Sequence, residues 1–241
     1  MSLPLPAERY VESIRTDSDL FDAAVTAAPL APVAACPDWD NTALAEHMGD
    51  VFNFAATQIR GSTTEMTRPD QSAKADPLSW YQTSAGALID ALAQADPDQT
   101  GWSWAGTPTL SFYFRRMASE IAVHRVDAQR AAGVAETPIP GDIATDAIDE
   151  VIEVGMQHRM RGPNADYPTG SLHLHRTDGD GEWMLTAADG VLVATHEHGK
   201  GDAALRGRAS DLLLFLWGRG RGELDLFGDE AVAEAWSAVA P

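Results

Sequence analysis

Apolar residues in the first half of the chain recur at spacings of three and four, which predicts amphipathic helices. Four such stretches stand out. Ala7–Ala28 ends before Pro29-Leu30-Ala31-Pro32. Asn41–Arg60 starts after Asp40, a good N-cap, and stops before Gly61-Ser62. Pro77–Ala95 is closed by Asp96-Pro97, and Pro108–Ala132 by Gly133 at the C′ position. Short loops between long amphipathic helices predict an antiparallel bundle.

Residues 134–142 are a Pro-containing connector, and a further helix is predicted over Ile143–Met160. Beyond Gly162-Pro163-Asn164 the period falls to two. Ser171–Arg176 and Trp183–Thr186 alternate around Asp178-Gly179-Asp180-Gly181, a hairpin signature, and Val191–His198 alternates as well. Ala209–Trp217 reads as a helix, Glu223–Phe227 as a short strand and Glu230–Val239 as a closing helix. The expected fold class is α+β: a four-helix bundle over residues 1–138 and a smaller α+β domain over 139–241.

Composition narrows the function classes. The chain has 241 residues, 44% apolar and 22% charged, ordinary for a globular protein with a real core. Lys+Arg 17 against Asp+Glu 36 gives a net charge of −19, and both halves are acidic. That argues against a nucleic-acid backbone or an anionic membrane surface as partner. The single cysteine, Cys36, excludes an internal disulfide framework. The N-terminus lacks a basic n-region before an apolar run, and Leu212–Trp217, the longest apolar stretch, is too short to span a bilayer. A cytoplasmic protein is expected.

Helical wheels isolate the candidate chemistry. With His47 at the origin, Leu44, Met48, Val51 and Ala55 fall on its side of the second helix, while Glu46, Asp50 and Asn53 fall away. On the fourth helix, Tyr113, Met117, Ile121 and Ala128 share a face with His124, and Glu120 sits at its edge. Arg115, Arg125 and Gln129 are placed outward. An inward carboxylate must be neutralised, paired or bound to a cation. Glu120 and His124, four apart, can converge on one point, and a ligand from a facing helix would make three. Three protein ligands leave a position open, as in catalytic zinc sites. Asp127 is placed to orient a ligand imidazole. On spacing alone, a surface Glu–His pair and a hydrogen-bonded core histidine stay open as alternatives.

Cys36-Pro37-Asp38-Trp39-Asp40, leading to Leu44-Ala45-Glu46-His47-Met48-Gly49, resembles the opening signature of the mycothiol-dependent maleylpyruvate isomerase family. Arg116-Met117-Ala118-Ser119-Glu120-Ile121-Ala122-Val123-His124-Arg125-Val126-Asp127-Ala128 resembles its second signature. Trp183, Leu205–Leu214, Leu216–Arg219 and Phe227-Gly228-Asp229 resemble its second domain, itself similar to sterol carrier proteins. Where family members have Asp-Trp-Thr, this chain has Asp38-Trp39-Asp40, and aspartate caps as well as threonine. The resemblance implies a DinB-like bundle with a divalent metal, zinc or another, held by His47, Glu120 and His124. It implies mycothiol as a thiol cofactor and a catalytic arginine from the second domain, best matched by Arg219, with Arg206 behind it.

The activity so implied is cis–trans isomerisation of a small, anionic electrophile by thiol addition and elimination, or S-transfer if the adduct is retained. The rival class is a non-catalytic, metal-stabilised binding or carrier protein. Cys36 lies well before His47 and is expected to be poorly placed to reach the metal unless its loop folds back. His173/His175 and His196/His198 are i,i+2 pairs on predicted strands, each expected to share one face. A solvated strand face is their plainer reading, four metal-binding imidazoles the sharper one. Gly218-Arg219-Gly220-Arg221-Gly222 reads as a turn rather than a phosphate loop, because the strand–loop–helix frame is missing.

Overall fold

Asp40 caps the second helix, its carboxylate accepting the Ala43 N–H at 2.8 Å. Asp76 caps the third in the same way through the Ser79 N–H at 2.8 Å, with Pro77 at the first helical turn. Gly133, at φ 66°, closes the fourth in the left-handed region that favours glycine. These local signals bound α1 (Ala7–Ala27), α2 (Asn41–Gly61), α3 (Pro77–Gln94) and α4 (Ser111–Ala132). The computed structural model describes residues 3–72, 74, 76–159, 168–188 and 191–239, and they divide into two units, Met1–Thr137 and Pro138–Pro241. Among the described residues no helix is long and apolar enough to cross a membrane.

In the first unit α2 packs mainly against α3 and α1 mainly against α4, with lighter contacts of α1 with α3 and of α2 with α4. The successive helices α2 and α3 are therefore neighbours, as expected, whereas α1 and α2 barely touch. Residues 28–40 and 95–110 are long enough to carry the chain across the bundle. The start of α4 moves from the expected Pro108 to Ser111 for a related reason. Leu110 N–H donates to Gln99 O at 2.9 Å and Ser111 N–H to Pro97 O at 2.8 Å, tying residues 97–111 into a loop. Tyr10, Ile14, Phe21, Leu44, Met48, Phe52, Tyr81 and Phe114 fill the core. Gly49 sits under the Trp80 indole, and a Cβ there would lie 2.4 Å from Trp80 Cδ1.

The second unit is a mixed sheet with helices. β1 (Leu172–Arg176) pairs antiparallel with β2 (Glu182–Ala188), the expected hairpin, and β2 with β3 (Val191–Thr195). A strand not anticipated, β4 (Ala203–Gly207), runs parallel to β1 and antiparallel to β5 (Asp225–Gly228), giving the order β3-β2-β1-β4-β5. Ala-Ala-Leu-Arg-Gly has no β-branched or aromatic residue to announce a strand. The predicted helix from Ile143 is instead α5 (Gly141–Glu150), a π-helical stretch Val151–Met156 and a last turn, α6 (Gln157–Arg159). Its expected end at Met160, and the Gly162-Pro163-Asn164 break, lie outside the described residues. α7 (Ala209–Leu216) and α8 (Glu230–Ser237) complete the unit. Leu172, Leu174, Trp183, Leu185, Ala203 and Leu205 bury one face of the sheet.

One expectation fails on α4. Arg125 and Gln129 do not face solvent: both are buried, Arg125 completely. The helix is covered on its polar side too, by α1 and by residues 134–137. Arg125 Nε donates to Asp17 Oδ1 at 3.0 Å and Nη1 to Gln129 Oε1 at 3.0 Å and to the Thr137 carbonyl. The Gln129 amide in turn bonds Thr137 N–H and its hydroxyl. Burial pushes the Asp17 carboxyl pKa up, against the pull of Arg125. Removing the guanidinium would leave that carboxylate buried without its cation. Arg125→Ala is therefore expected to destabilise the protein by about 3–5 kcal/mol, read as a lower urea midpoint. A loss below about 1 kcal/mol would mean that water replaces the pair easily.

Candidate metal centre

Two helices of the bundle bring three donors to one place. His47 comes from α2, and Glu120 and His124, one turn apart, from α4. Glu120 Oε1 lies 3.6 Å from His47 Nε2 and 3.5 Å from His124 Nε2. The three donor atoms all lie within 4.8 Å of one another. A tetrahedral zinc ion with bonds of about 2.0–2.1 Å sets its donors about 3.3–3.4 Å apart, so the triad fits such an ion with little movement.

The two carboxylate oxygens have different company. Oε1 faces both imidazoles, while Oε2 is held by the Arg116 guanidinium, one turn back on α4. Burial alone would raise the Glu120 pKa. Arg116 and the hydrogen bonds from His124 and His47 outweigh it and hold the carboxyl well below its ordinary range. His124 is likewise buried, which disfavours its charge. Its hydrogen bonds to Asp127 and Glu120 prevail and raise its pKa.

Asp127 is the orienting carboxylate anticipated from spacing, with Oδ2 3.0 Å from His124 Nδ1. A proton held at Nδ1 leaves the Nε2 lone pair turned towards Glu120 and His47. His47 is the most open donor, its side chain 33% exposed against 9% for Glu120 and 7% for His124. Trp39 leans on its ring at 5.0 Å, and the His47 and His124 rings meet edge-on at 5.3 Å.

The loop before α2 meets the exception left open for Cys36. It folds back on itself, with Pro32 bridged to Asp40, Val33 N–H bonded to Trp39 O and Trp39 N–H to Cys36 O. Asp38 takes a positive φ of 70° to make the turn. The fold-back carries Cys36 Sγ to within 4.8 Å of donor atoms of His124 and Asp127. Arg116 and Trp39 stand in the two N-terminal signatures, which by themselves imply no role for either. The i,i+4 step from Arg116 to Glu120 was a legible signal for the first; the Trp39 contact depends on the turn at Asp38.

The candidate arginines belong to the second unit. Arg206 lies in β4, exposed, opposite His175 in the parallel register. Arg219 is half-buried in the turn after α7, its Nη1 donating to Trp217 O and its guanidinium 5.5 Å from the Trp217 ring. Gly218, Gly220 and Gly222 around it all have positive φ. The segment is a turn, as expected.

The family model for the mycothiol maleylpyruvate isomerase N-terminal domain matches residues 11–129, and that for the MDMPI C-terminal domain matches residues 142–235. Among solved structures, the crystal structure of the mycothiol-dependent maleylpyruvate isomerase is similar over 94% of this chain and 95% of that one, with 15% identity and a TM-score of 0.61. A histidine-to-alanine mutant of that isomerase is similar over the same shares, with 15% identity and a TM-score of 0.59. No curated protein matches the sequence. The structural likeness, at such low identity, speaks for the fold. The two family models, matched in order along most of the sequence, go further: the chain belongs to the mycothiol-dependent maleylpyruvate isomerase family.

Proposed function

We propose that this chain is a metal-dependent, mycothiol-using enzyme that isomerises a small anionic cis-alkene, of the maleylpyruvate kind, by reversible thiol addition. The observation that carries the reading is the convergence of His47, Glu120 and His124 on one point, with one Glu120 oxygen left to face both imidazoles. A non-catalytic carrier has less use for three donors on the partly open side of a bundle.

A divalent ion, zinc in this proposal, would supply there the Lewis acidity that lets a thiol ionise at neutral pH. Everything else falls to the chain. His47 and His124 offer neutral nitrogens, and Glu120 offers one negative charge. Asp127 fixes the His124 ring, and Arg116 keeps the second Glu120 oxygen occupied, so that Glu120 presents a single donor atom. Trp39 covers one side of His47. Arg219 is assigned to the substrate carboxylate: its flat fork can bind two oxygens at once and can stabilise the enolate charge that develops as the double bond is attacked. Arg206 is the second choice for that part.

Three outcomes are expected. The purified protein holds about one divalent ion at the triad, which His47→Ala removes, while Asp127→Asn weakens affinity about 10–100-fold; both are read by metal analysis after dialysis. Undiminished metal in both variants would reject the triad. Arg219→Ala leaves metal content and folding unchanged but lowers kcat/KM for an anionic electrophile by about a hundredfold or more, with Arg219→Lys restoring only part because the planar fork is lost. Unchanged kinetics would move the role to Arg206. Mycothiol raises the thermal midpoint of the metal-loaded protein, since it binds the folded state, and Cys36→Ser still requires external thiol for turnover. A metal-loaded protein that neither binds mycothiol by calorimetry nor turns over any electrophile with it would be a carrier instead.

A further inference from the structure

The second unit assembles its own donor set. His173 and His175 stand two apart on β1, on the face opposite Leu172 and Leu174, and Glu182 on β2 is the direct register partner of His175. The fourth member arrives from elsewhere. β3 ends at Thr195, so the expected i,i+2 pairing of His196 with His198 fails, and the two side chains part. His196 turns to Asp149, with Nε2 3.5 Å from Oδ1, and its ring lies 6.2 Å from that of Trp183. His198 is carried over the sheet by a segment that passes close above β2, where a Cβ on Gly199 would come within 2.9 Å of Met184 Cε.

Three imidazoles thereby surround one carboxylate. His173 Nε2 lies 3.2 Å and His198 Nδ1 2.8 Å from Glu182 Oε2, and His175 Nδ1 lies 3.0 Å from Oε1. The rings stand at steep angles to one another, with centroids 5.5–6.3 Å apart. The four donor atoms all lie within 4.8 Å of one another. Burial runs in a gradient, from His173 at 6% side-chain exposure to His198 at 79%. The innermost donor is thus shielded, and the outermost stands at the entrance.

We infer that His173, His175, Glu182 and His198 form a second divalent-metal site, of the closed four-ligand kind, held wholly within the C-terminal unit. The donor set suits zinc, which takes imidazole nitrogen and carboxylate oxygen in tetrahedral array. The separations of 3.2 and 2.8 Å from Glu182 Oε2 to His173 and His198 need to open by only a few tenths of an ångström to reach the about 3.3–3.4 Å that zinc requires, and His175 meets the same carboxylate through Oε1 at 3.0 Å. The segments joined are β1, β2 and the stretch after β3, so an ion there would pin that stretch to the sheet. The plainer arrangement, three hydrogen bonds to one carboxylate, uses the same atoms and needs no ion, and the experiment separates the two.

The full-length protein is prepared as wild type, as His47→Ala/His124→Ala, as His175→Ala/His198→Ala and as the variant with all four changes. Each is stripped with chelator, reloaded with zinc or cobalt, and dialysed. Removing the bundle histidines is expected to leave about one equivalent of zinc and the visible absorption of tetrahedral cobalt. Adding His175→Ala/His198→Ala should abolish both, with circular dichroism unchanged. Single His198→Ala, at an exposed position that cannot cripple folding, should weaken zinc binding by at least about tenfold in the bundle-free background. The inference is overturned if the protein without His47 and His124 retains no zinc, or if its zinc is indifferent to His175 and His198. Because the bundle triad is absent from that background, either result stands apart from the fate of the first site.

Discussion

A carboxylate buried inside a helical bundle has to be answered, and the first unit is arranged around the answer given to Glu120. Left alone in an apolar interior, the charge would cost several kcal/mol or force the group to hold its proton. The chain supplies a guanidinium to one oxygen and two imidazoles to the other. The division matters more than the total. Had Arg116 taken both oxygens in a bidentate clasp, no lone pair would remain for anything else. With one oxygen held by Arg116, the other keeps its direction and its negative charge.

Satisfying Glu120 in this way demands a helix rich in polar groups at the centre of the fold, and that demand spreads. α4 carries Arg116, Glu120, His124, Arg125, Asp127 and Gln129, all buried. Some pair along the helix, Arg116 with Glu120 and His124 with Asp127, and the rest of the demand is met from other directions. Asp17 comes from α1, His47 from α2, and Thr137 from the segment that follows the helix. The folded-back loop before α2 adds Trp39 and Cys36 on the remaining side. The bundle thus closes around α4 by polar complementarity as much as by its apolar stripe.

What could be read in advance was what is encoded locally. Asp40 and Gly133 act through bonds to residues a few positions away, so the helix boundaries they set were legible. The wheel placed His47, Glu120 and His124 on inward faces, but that they stand at one level of the bundle is a matter of packing, and only the resemblance to a family pointed there. Periodicity failed where burial was two-sided: it marked Arg125 as outward because it compares the faces of one helix and is blind to what covers the polar face. β4 was missed for want of side-chain character, being a strand made by its neighbours. The Cys36 turn hangs on a left-handed Asp38, and the parting of His196 from His198 on where β3 stops, neither of which alternation can announce.

The burial of α4 has a bearing on how such a chain drifts over generations. From Phe112 to Gln129 only Arg115 is more than marginally exposed. A helix enclosed on every side has almost no silent positions, since nearly any change opens a cavity, strands a polar group or overfills a packed layer. Selection on stability alone would purge substitutions along it, whether or not the reaction mattered to the cell. Retention of this stretch among relatives would therefore be a poor witness to chemistry. The partly exposed His47, whose loss the fold could better withstand, would be the more telling residue to follow.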